Sequence, residues 1–511
     1  MSQTLLPFKY EISESTQALT PRAGLLLYLD MMTALELTKS IRKYLRVTID
    51  NDQGWLDEQM IPALILLQLS GGDCVEDIDK LESDRALTTI MSKTEAYTLS
   101  RRERRVLAKR FRKGRERVLP SISAIRRYLE EFHAAEEEAK REPGKAFIPA
   151  PNEHLRGLLR INAGIIAKVQ SWRPRPVATL DMDATLAEVH KASALYCYKH
   201  FKAYQPLNVW WAEHEMTLHS EFRDGNVPAG YEQLRVLIAA LNQLPNGVQK
   251  VYMRSDSAGY EWSLLRYCAE GKHPRFGKIE FAVSCDVNEE FKKAVRIVPE
   301  GEWYTLYRQE HGQSIDTGQQ WCEVCFVPNK GSTKKRGPEY RFLAIREPMR
   351  QLELPGVEKR QGELPFQTIE LGEEGQRYKL FGVVTNRDIP GEELIWWHRE
   401  RCGRSEQAHD VMKNELAGGT LPSRLFGANA AWWGIMILAF NIHAALKQLA
   451  LGESWARRRM KAIRFAVINI AGRLVTSGRY LRLKLSGEIS SLQLLLDARH
   501  RMWELVHGPS G

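Results

Sequence analysis

"RPVATLDMDATLAEVH", residues 175–190, sets two aspartates two positions apart inside an apolar, β-prone run. In a strand, side chains at i and i+2 share a face, so Asp181 and Asp183 point one way while Leu180 and Met182 point the other. Their Cα atoms would lie roughly 7 Å apart, and two unit charges at that distance repel by roughly 2 kcal/mol at an effective dielectric of about 20. Four arrangements offset such repulsion: an exposed face, a neighbouring Arg or Lys, a protonated carboxyl, or a divalent cation. The rest of the chain has to decide among them.

Working outward, "QPLNVWWAEH" (205–214) and "MTLHSEFR" (216–223) continue as strands of a meander, and 229–244 follows as an amphipathic helix. "GVQKVYMRSD" (247–256) predicts a fourth strand, 259–270 a helix, "KIEFAVSC" (278–285) a fifth strand, and a further helix begins after Asn288. Three strands, helix, strand, helix, strand, helix is the element order of an RNase H-like domain. Between 300 and 388 the helical signal fades into β-rich segments, "EWYTLYR", "QWCEVCFVP", "YRFLAIREP" and "YKLFGVVTN", separated by polar turns such as "NKGSTKKRG" (329–337). Helix returns near 390.

The expected class is therefore α/β: an RNase H-like mixed-sheet core in two parts, 175–299 and 389–450, interrupted by a β-rich insertion at 300–388. Residues 1–140 read as a helical region, from stretches such as "GLLLYLDMMTALELTKSIRKYL" and "DEQMIPALILLQL". Residues 141–174 read as a linker, with three prolines in "REPGKAFIPAPNE", and a connecting helix. Residues 451–511 read as a basic C-terminal helical region.

With 511 residues and 43% hydrophobic content, the chain can build two to four cores. The opening residues lack a basic stretch followed by an apolar one, so no secretory signal is expected and the cytoplasm is the expected location. "AAWWGIMILAF" (430–440) falls short of the roughly 20 residues a membrane span needs and is followed by Asn441 and His443, which predicts a buried helix. Seven cysteines, an odd number, suit reduced thiols. Cys322 and Cys325 form a C-x-x-C, but on a strand i and i+3 face opposite ways and no second pair follows at zinc-finger spacing, which argues against structural zinc.

The charge is concentrated. Residues 101–127, "RRERRVLAKRFRKGRERVLPSISAIRR", hold twelve Lys or Arg against two Glu, and 454–487 hold nine Lys or Arg with no acid, although the whole chain carries only +10. The remainder is therefore acidic. The first block points to a polyanion partner, through Arg101, Arg102, Arg104, Arg105, Lys109, Arg110, Arg112, Lys113, Arg126 and Arg127. Ser121 or Ser123 is the expected N-cap of the helix bearing the last two. The second block interleaves its charges with Ile, Val and Leu, as an amphipathic helix on a core also would. In the insertion, Lys334, Lys335 and Arg336, with Trp303 or Trp321, are candidates to meet such a polyanion, although core packing is the favoured role for the tryptophans.

Two further acids join the pair. "RSDSAGY" puts Asp256 where the fourth strand ends, a place where α/β sheets meet ligands and also where an Asp caps a turn. "RSEQAHDVMKNEL" sets Glu406, His409, Asp410 and Lys413 at i, i+3, i+4 and i+7 of a helix, with Ala408, Val411 and Met412 on another face. Two-metal phosphoryl transfer needs oxygen ligands on both ions, and three carboxylates from separate elements suffice for Mg²⁺.

"LDMDAT", "FRDGNVPAG", "MRSDSAGY" and "ERCGRSEQAHDVMKNELAGGTLPSRLFGANAAWW", with "GGDCVEDIDKLESDRAL" near the start, resemble the DDE transposases of bacterial insertion sequences, in the branch with a β-rich insertion before the catalytic Glu. The resemblance implies a catalytic triad of Asp183 (in the D-x-T context Asp183-Ala184-Thr185), Asp256 and Glu406, dependence on Mg²⁺ or Mn²⁺, and cut-and-paste chemistry on terminal inverted repeats. It also implies a DNA role for Lys413, seven positions after the Glu. Relatives carry Tyr and Arg upstream of the Glu, where "WWHRERCGRSE" offers Trp397 and Arg399 or Arg401 as imperfect counterparts; Arg404 joins them as a DNA-binding candidate. Asp181 stands as a further ligand or as a structural hydrogen-bonding group. Two ions, DNA ends and target DNA as partners, and a homodimer on DNA complete the expectation. A stand-alone nuclease without strand transfer, and a non-catalytic DNA-binding protein, are the alternatives.

Overall fold

The structure, a computed structural model, describes residues 18–48, 53–111, 114–328, 339–349, 366–372, 375–477 and 480–508. They divide into two compact units, one from 39–45 and 129–444 and one from 1–38, 46–128 and 445–511. The stretches read separately as 1–140 and 451–511 thus build one unit, and the division falls at 128/129 rather than at 140.

In the larger unit, α1 (Glu153–Trp172) starts at Asn152, whose side chain accepts the Leu155 N–H at 2.9 Å. It leads into β1 (Val177–Ala184), which pairs antiparallel with β2 (Leu207–Trp211), itself antiparallel to β3 (Met216–Glu221). Three short strands, Ala187–Glu188, Leu195–Tyr196 and Lys202–Tyr204, form a small sheet between β1 and β2 that the sequence pattern does not announce. Helix α2 (Gln233–Gln243) crosses to β4 (Lys250–Ser255), parallel to β1, and α3 (Trp262–Ala269) crosses to β5 (Glu280–Cys285), parallel to β4. Helix α4 (Glu289–Ile297) follows.

The β-rich segment then supplies β6 (Tyr304–Glu310), β7 (Gln313–Val324), β8 (Arg341–Pro348), β9 (Thr368–Leu371) and β10 (Gln376–Thr385). Gly382–Thr385 of β10 pair with 282–285 of β5, so the insertion continues the core sheet. The order is β6-β7-β8-β10-β5-β4-β1-β2-β3, with β9 on the first half of β10.

Helix α5 (Gly391–Arg399) lies on this extension. Leu394 and Ile395 pack with Ala282, Leu306, Leu343, Ile345 and Val383. Gly391 is required there, because a Cβ would sit 2.2 Å from the Trp321 ring. Trp321 is thereby a packing residue, and Trp303 is buried with the Arg346 guanidinium 4.1 Å from its ring. Neither is offered to DNA, because their large apolar rings are spent on the core. Gly403, at φ +84°, turns the chain into α6 (Arg404–Asp410), and α7 (Phe426–Leu446) completes the unit's helices. The stretch Phe426–Leu451 is long and apolar enough to cross a membrane by length and composition, yet 78% of its apolar window is buried in the fold.

In the smaller unit, helices Leu26–Ala34, Asp57–Ser70, Arg85–Thr98 and Arg101–Lys109 bear out the N-terminal pattern, but the C-terminal basic region is not all helical. Ala471–Ser477 and Tyr480–Ser486 are antiparallel strands, joined by Ala18–Thr20, before a helix at Ile489–His507. The reason is period two: Leu481, Leu483 and Leu485 are half-buried while Tyr480, Arg482 and Lys484 are exposed.

Strand β3 ends the sheet, and a register shift after Val209 leaves its backbone irregular at Thr217 and Leu218. Two buried asparagines complete the hydrogen bonding there. Asn441 of α7 accepts the Thr217 N–H (2.9 Å) and donates to Thr217 O (2.9 Å) and Asn162 Oδ1 (2.6 Å), while Asn162 of α1 donates to Thr217 O (3.0 Å) and Leu218 O (3.2 Å). Asn441→Leu strands these buried groups and is expected to cost about 2–4 kcal/mol in denaturant unfolding of the full chain, far beyond the cost of the volume change alone.

Candidate active site

Asp183 is the penultimate residue of β1 and Asp256 directly follows β4, so adjacent parallel strands deliver two acids to the same carboxyl end of the sheet. Helix α6 faces them. Ser405 Oγ lies 3.4 Å, His409 Nδ1 3.7 Å and Arg401 Nη1 4.0 Å from Asp183, and all three approach the same oxygen, Oδ2. Burial pushes the Asp183 carboxyl up to about 6; the charge of Asp256 and, less, that of Glu406 add to this, against Arg401 and Ser405. The three acids therefore feel one another, although they come from positions far apart in the chain. Asp256 also accepts the Ala258 N–H at 3.0 Å and caps the turn Ser257–Gly259, so the turn role read from sequence is present beside the electrostatic one.

Glu406 is exposed in the first turn of α6. Among the described residues no three His, Cys, Asp or Glu side chains converge closely enough to hold a metal ion. Like charges keep their distance, and Glu406 takes the solvent-facing position that lowers the repulsion.

Asp181 is not available as a ligand. It is buried, at 2% exposure, and both its oxygens are taken by Arg254, Nε at 2.6 Å and Nη2 at 2.9 Å. Asp181 and Arg254 are register partners in β1 and β4. Arg254 Nη1 goes on to the Trp397 carbonyl of α5 (2.6 Å) and reaches Glu400 (3.1 Å). The two aspartates of "LDMD" are thus offset separately, Asp181 by a buried arginine. The signal was available: "LDMD" and "MRSD" each carry one charged residue two places before the candidate acid.

The expected stripe on α6 does not hold. Glu406 faces solvent, whereas His409 is buried against Asn208 and Asp183. A π-helical turn at Val411–Glu415, wider than an α-turn, then changes the phase, and Lys413 Nζ donates to Leu186 O at 3.2 Å. Ala408, Val411 and Met412 are buried, as their spacing predicts. Arg399 is half-buried with its guanidinium 5.3 Å from the Trp396 ring, and Arg404 is exposed at the start of α6.

In the smaller unit, Arg101, Arg102, Arg104, Arg105 and Lys109 are exposed on a helix opened by a Ser100–Glu103 capping box. Arg110 instead braces a loop, donating to Gly54 O at 3.0 Å and to Thr48 O and Gln53 O at 3.4 Å, because its side chain folds back inside the unit. Arg126 pairs with Glu76, and Arg127 donates to Ser123 O; Ser121 caps their helix through the Ala124 N–H. Arg112, Lys113, Lys334, Lys335 and Arg336 lie outside the described residues.

Two acids thus stand at the ends of adjacent parallel strands, faced by a helix that carries a further acid and Arg404, with Arg401 just before it. The chain belongs to the family described as "Transposase DDE domain group 1", which it matches over residues 8–343 and 366–507. Among solved structures, a cryo-EM structure of a piggyBac transposase synaptic complex with hairpin DNA is similar at 11% identity, covering 88% of this chain and 81% of that one, with a TM-score of 0.41, a likeness too loose to carry a functional argument. No curated protein matches the sequence.

A carboxyl raised by folding favours the protonated form, so its contribution to stability is full below about pH 4 and is lost as pH rises through 6. Asp183→Asn should therefore stabilise the metal-free protein by on the order of 1–2 kcal/mol at pH 7.5, with the gain vanishing near pH 4; thermal unfolding at the two pH values checks both sign and window.

Proposed function

We propose that the protein is the transposase of a bacterial insertion sequence, acting in the cytoplasm as a dimer on DNA, with Asp183, Asp256 and Glu406 as its DDE triad on an RNase H-like core. The observation that carries this is the emergence of Asp183 and Asp256 at the same end of adjacent parallel strands, with the helix that bears Glu406 setting Ser405 and His409 against Asp183.

The donor set suits hard divalent cations, since it offers carboxylate oxygens and no thiolate. Asp183 receives its protein contacts on Oδ2, which leaves Oδ1 for a ligand role. Asp183, Asp256 and Glu406 would together hold Mg²⁺ or Mn²⁺, two ions in the full site. When bound, such ions stabilise charge on the entering and leaving oxygens of an in-line displacement at phosphorus. The chain itself would position the DNA, with Arg401 beside Asp183 and exposed Arg404 as the groups to meet its phosphates. The first displacement breaks a phosphodiester at the element's end with water and frees a 3′ hydroxyl. In the second, that hydroxyl attacks a target phosphodiester, so one ester forms as another breaks.

Terminal inverted repeats would be held by the exposed face of helix Arg101–Lys109, phosphate contacts supplying salt-dependent affinity. A paired Arg101→Glu and Arg105→Glu change should weaken binding to end DNA at least tenfold and flatten its salt dependence in fluorescence anisotropy. Asp183→Ala, Asp256→Ala and Glu406→Ala should each lower Mn²⁺-dependent nicking and joining of end DNA by about 10³-fold or more while binding changes less than threefold. Unchanged cleavage in any of the three removes that residue from the triad. Nicking by the parent protein without any joined product would make it a nuclease.

A further inference from the structure

The four side chains Trp433, Ser220, Asn208 and His409 form a hydrogen-bonded chain whose last member faces Asp183. The Trp433 indole N–H donates to Ser220 Oγ at 2.8 Å, Ser220 Oγ donates to Asn208 Oδ1 at 2.6 Å, and Asn208 Nδ2 lies 3.1 Å from His409 Nε2. His409 Nδ1 is 3.7 Å from Asp183 Oδ2. Trp433, Asn208 and His409 are buried.

The direction of this chain follows from the Ser220 hydroxyl, which accepts from Trp433, whose indole N–H can only donate, and gives its single proton to Asn208 Oδ1. Asn208 must then turn its NH₂ toward His409. Nε2 can only accept that hydrogen bond, which places the imidazole proton on Nδ1, facing Asp183. Reversing the His409 tautomer alone would set its Nε2–H against the Asn208 NH₂ in the interior, at a cost of about 1–3 kcal/mol.

We infer that Trp433, Ser220 and Asn208 are positioning residues that hold His409 in its Nδ1–H tautomer, so that His409 directs a proton at Oδ2 of Asp183 and the carboxylate keeps Oδ1 for the cation. This rests on the assignment of Asp183 as a metal ligand. His409 is then neither a metal ligand nor a proton acceptor, although it is a ligand-type residue beside the acids. Its partner residues on β2 and β3 acquire a role that their distance from the reacting atoms conceals.

The test is histidine-selective ¹⁵N labelling of the full chain, with the His409 signals identified by their loss in His409→Gln, beside Mn²⁺ titration followed by EPR. The parent protein should show a protonated Nδ1 and a bare Nε2. Asn208→Asp, which can only accept, should move the proton to Nε2. Ser220→Ala should mix the tautomers and weaken Mn²⁺ binding by about tenfold, and Ser220→Thr, which keeps the hydroxyl, should restore both. A parent His409 protonated on Nε2 overturns the inference, as does a mixed tautomer in Ser220→Ala with Mn²⁺ affinity unchanged. Equal Mn²⁺ affinity in Asp183→Ala would instead sink the ligand assignment, while the tautomer signals still report on the chain of hydrogen bonds.

Discussion

The buried pair of Asp181 and Arg254 is the contact on which the site depends. A guanidinium and a carboxylate almost without solvent exposure persist only if their polar atoms find partners, and here the geometry is two-pronged, with Nη1 spent on the Trp397 carbonyl and Glu400. The pair joins neighbouring parallel strands exactly opposite one another in register and ties both to α5. Because Asp183 and Asp256 each follow two residues later, fixing this register also fixes the level at which the two acids emerge from the sheet. A slip of one residue would turn one acid to the other face and leave a charge alone in the interior.

The third acid depends on a different part of the chain. Glu406 follows α5 after one short turn, and α5 rests on Leu306, Leu343, Ile345 and Val383, all contributed by the insertion. The β-rich segment is therefore a floor for α5 rather than an appendage. It is joined to the core by backbone hydrogen bonds between β10 and β5, and with α5 it buries a cluster that includes Ala282 of β5. At the opposite edge, Asn162 and Asn441 finish the hydrogen bonding of β3, so the sheet is anchored at both ends of its functional half.

Much of this was legible in the sequence where one element carried the whole signal. The apolar alternation around Asp181 and Asp183, the Asp at the end of "MRSD" and the capped helices are local patterns, and the structure places those elements as their periods predict. Legibility ended where the deciding contact spans elements. Asp181 looked like a potential ligand because its arginine lies on another strand, and His409 looked like part of an exposed stripe because Asn208 is distant in sequence and the π-turn is invisible to a 3.6-residue count. The hairpin at 471–486 was hidden differently: its arginines and lysines suggested a polar helix face, and the two-residue spacing of Leu481, Leu483 and Leu485 was the better guide.

The sheet continuity has a consequence for synthesis on the ribosome. Asp183 and Asp256 precede the insertion in the chain, but α5, which leads into the helix bearing Glu406, has nothing to lie on until the insertion strands have been made and paired with β5. A partly made chain thus carries two acids with no third group in place. Completion of the extended sheet and support for the third acid therefore arrive together along the chain.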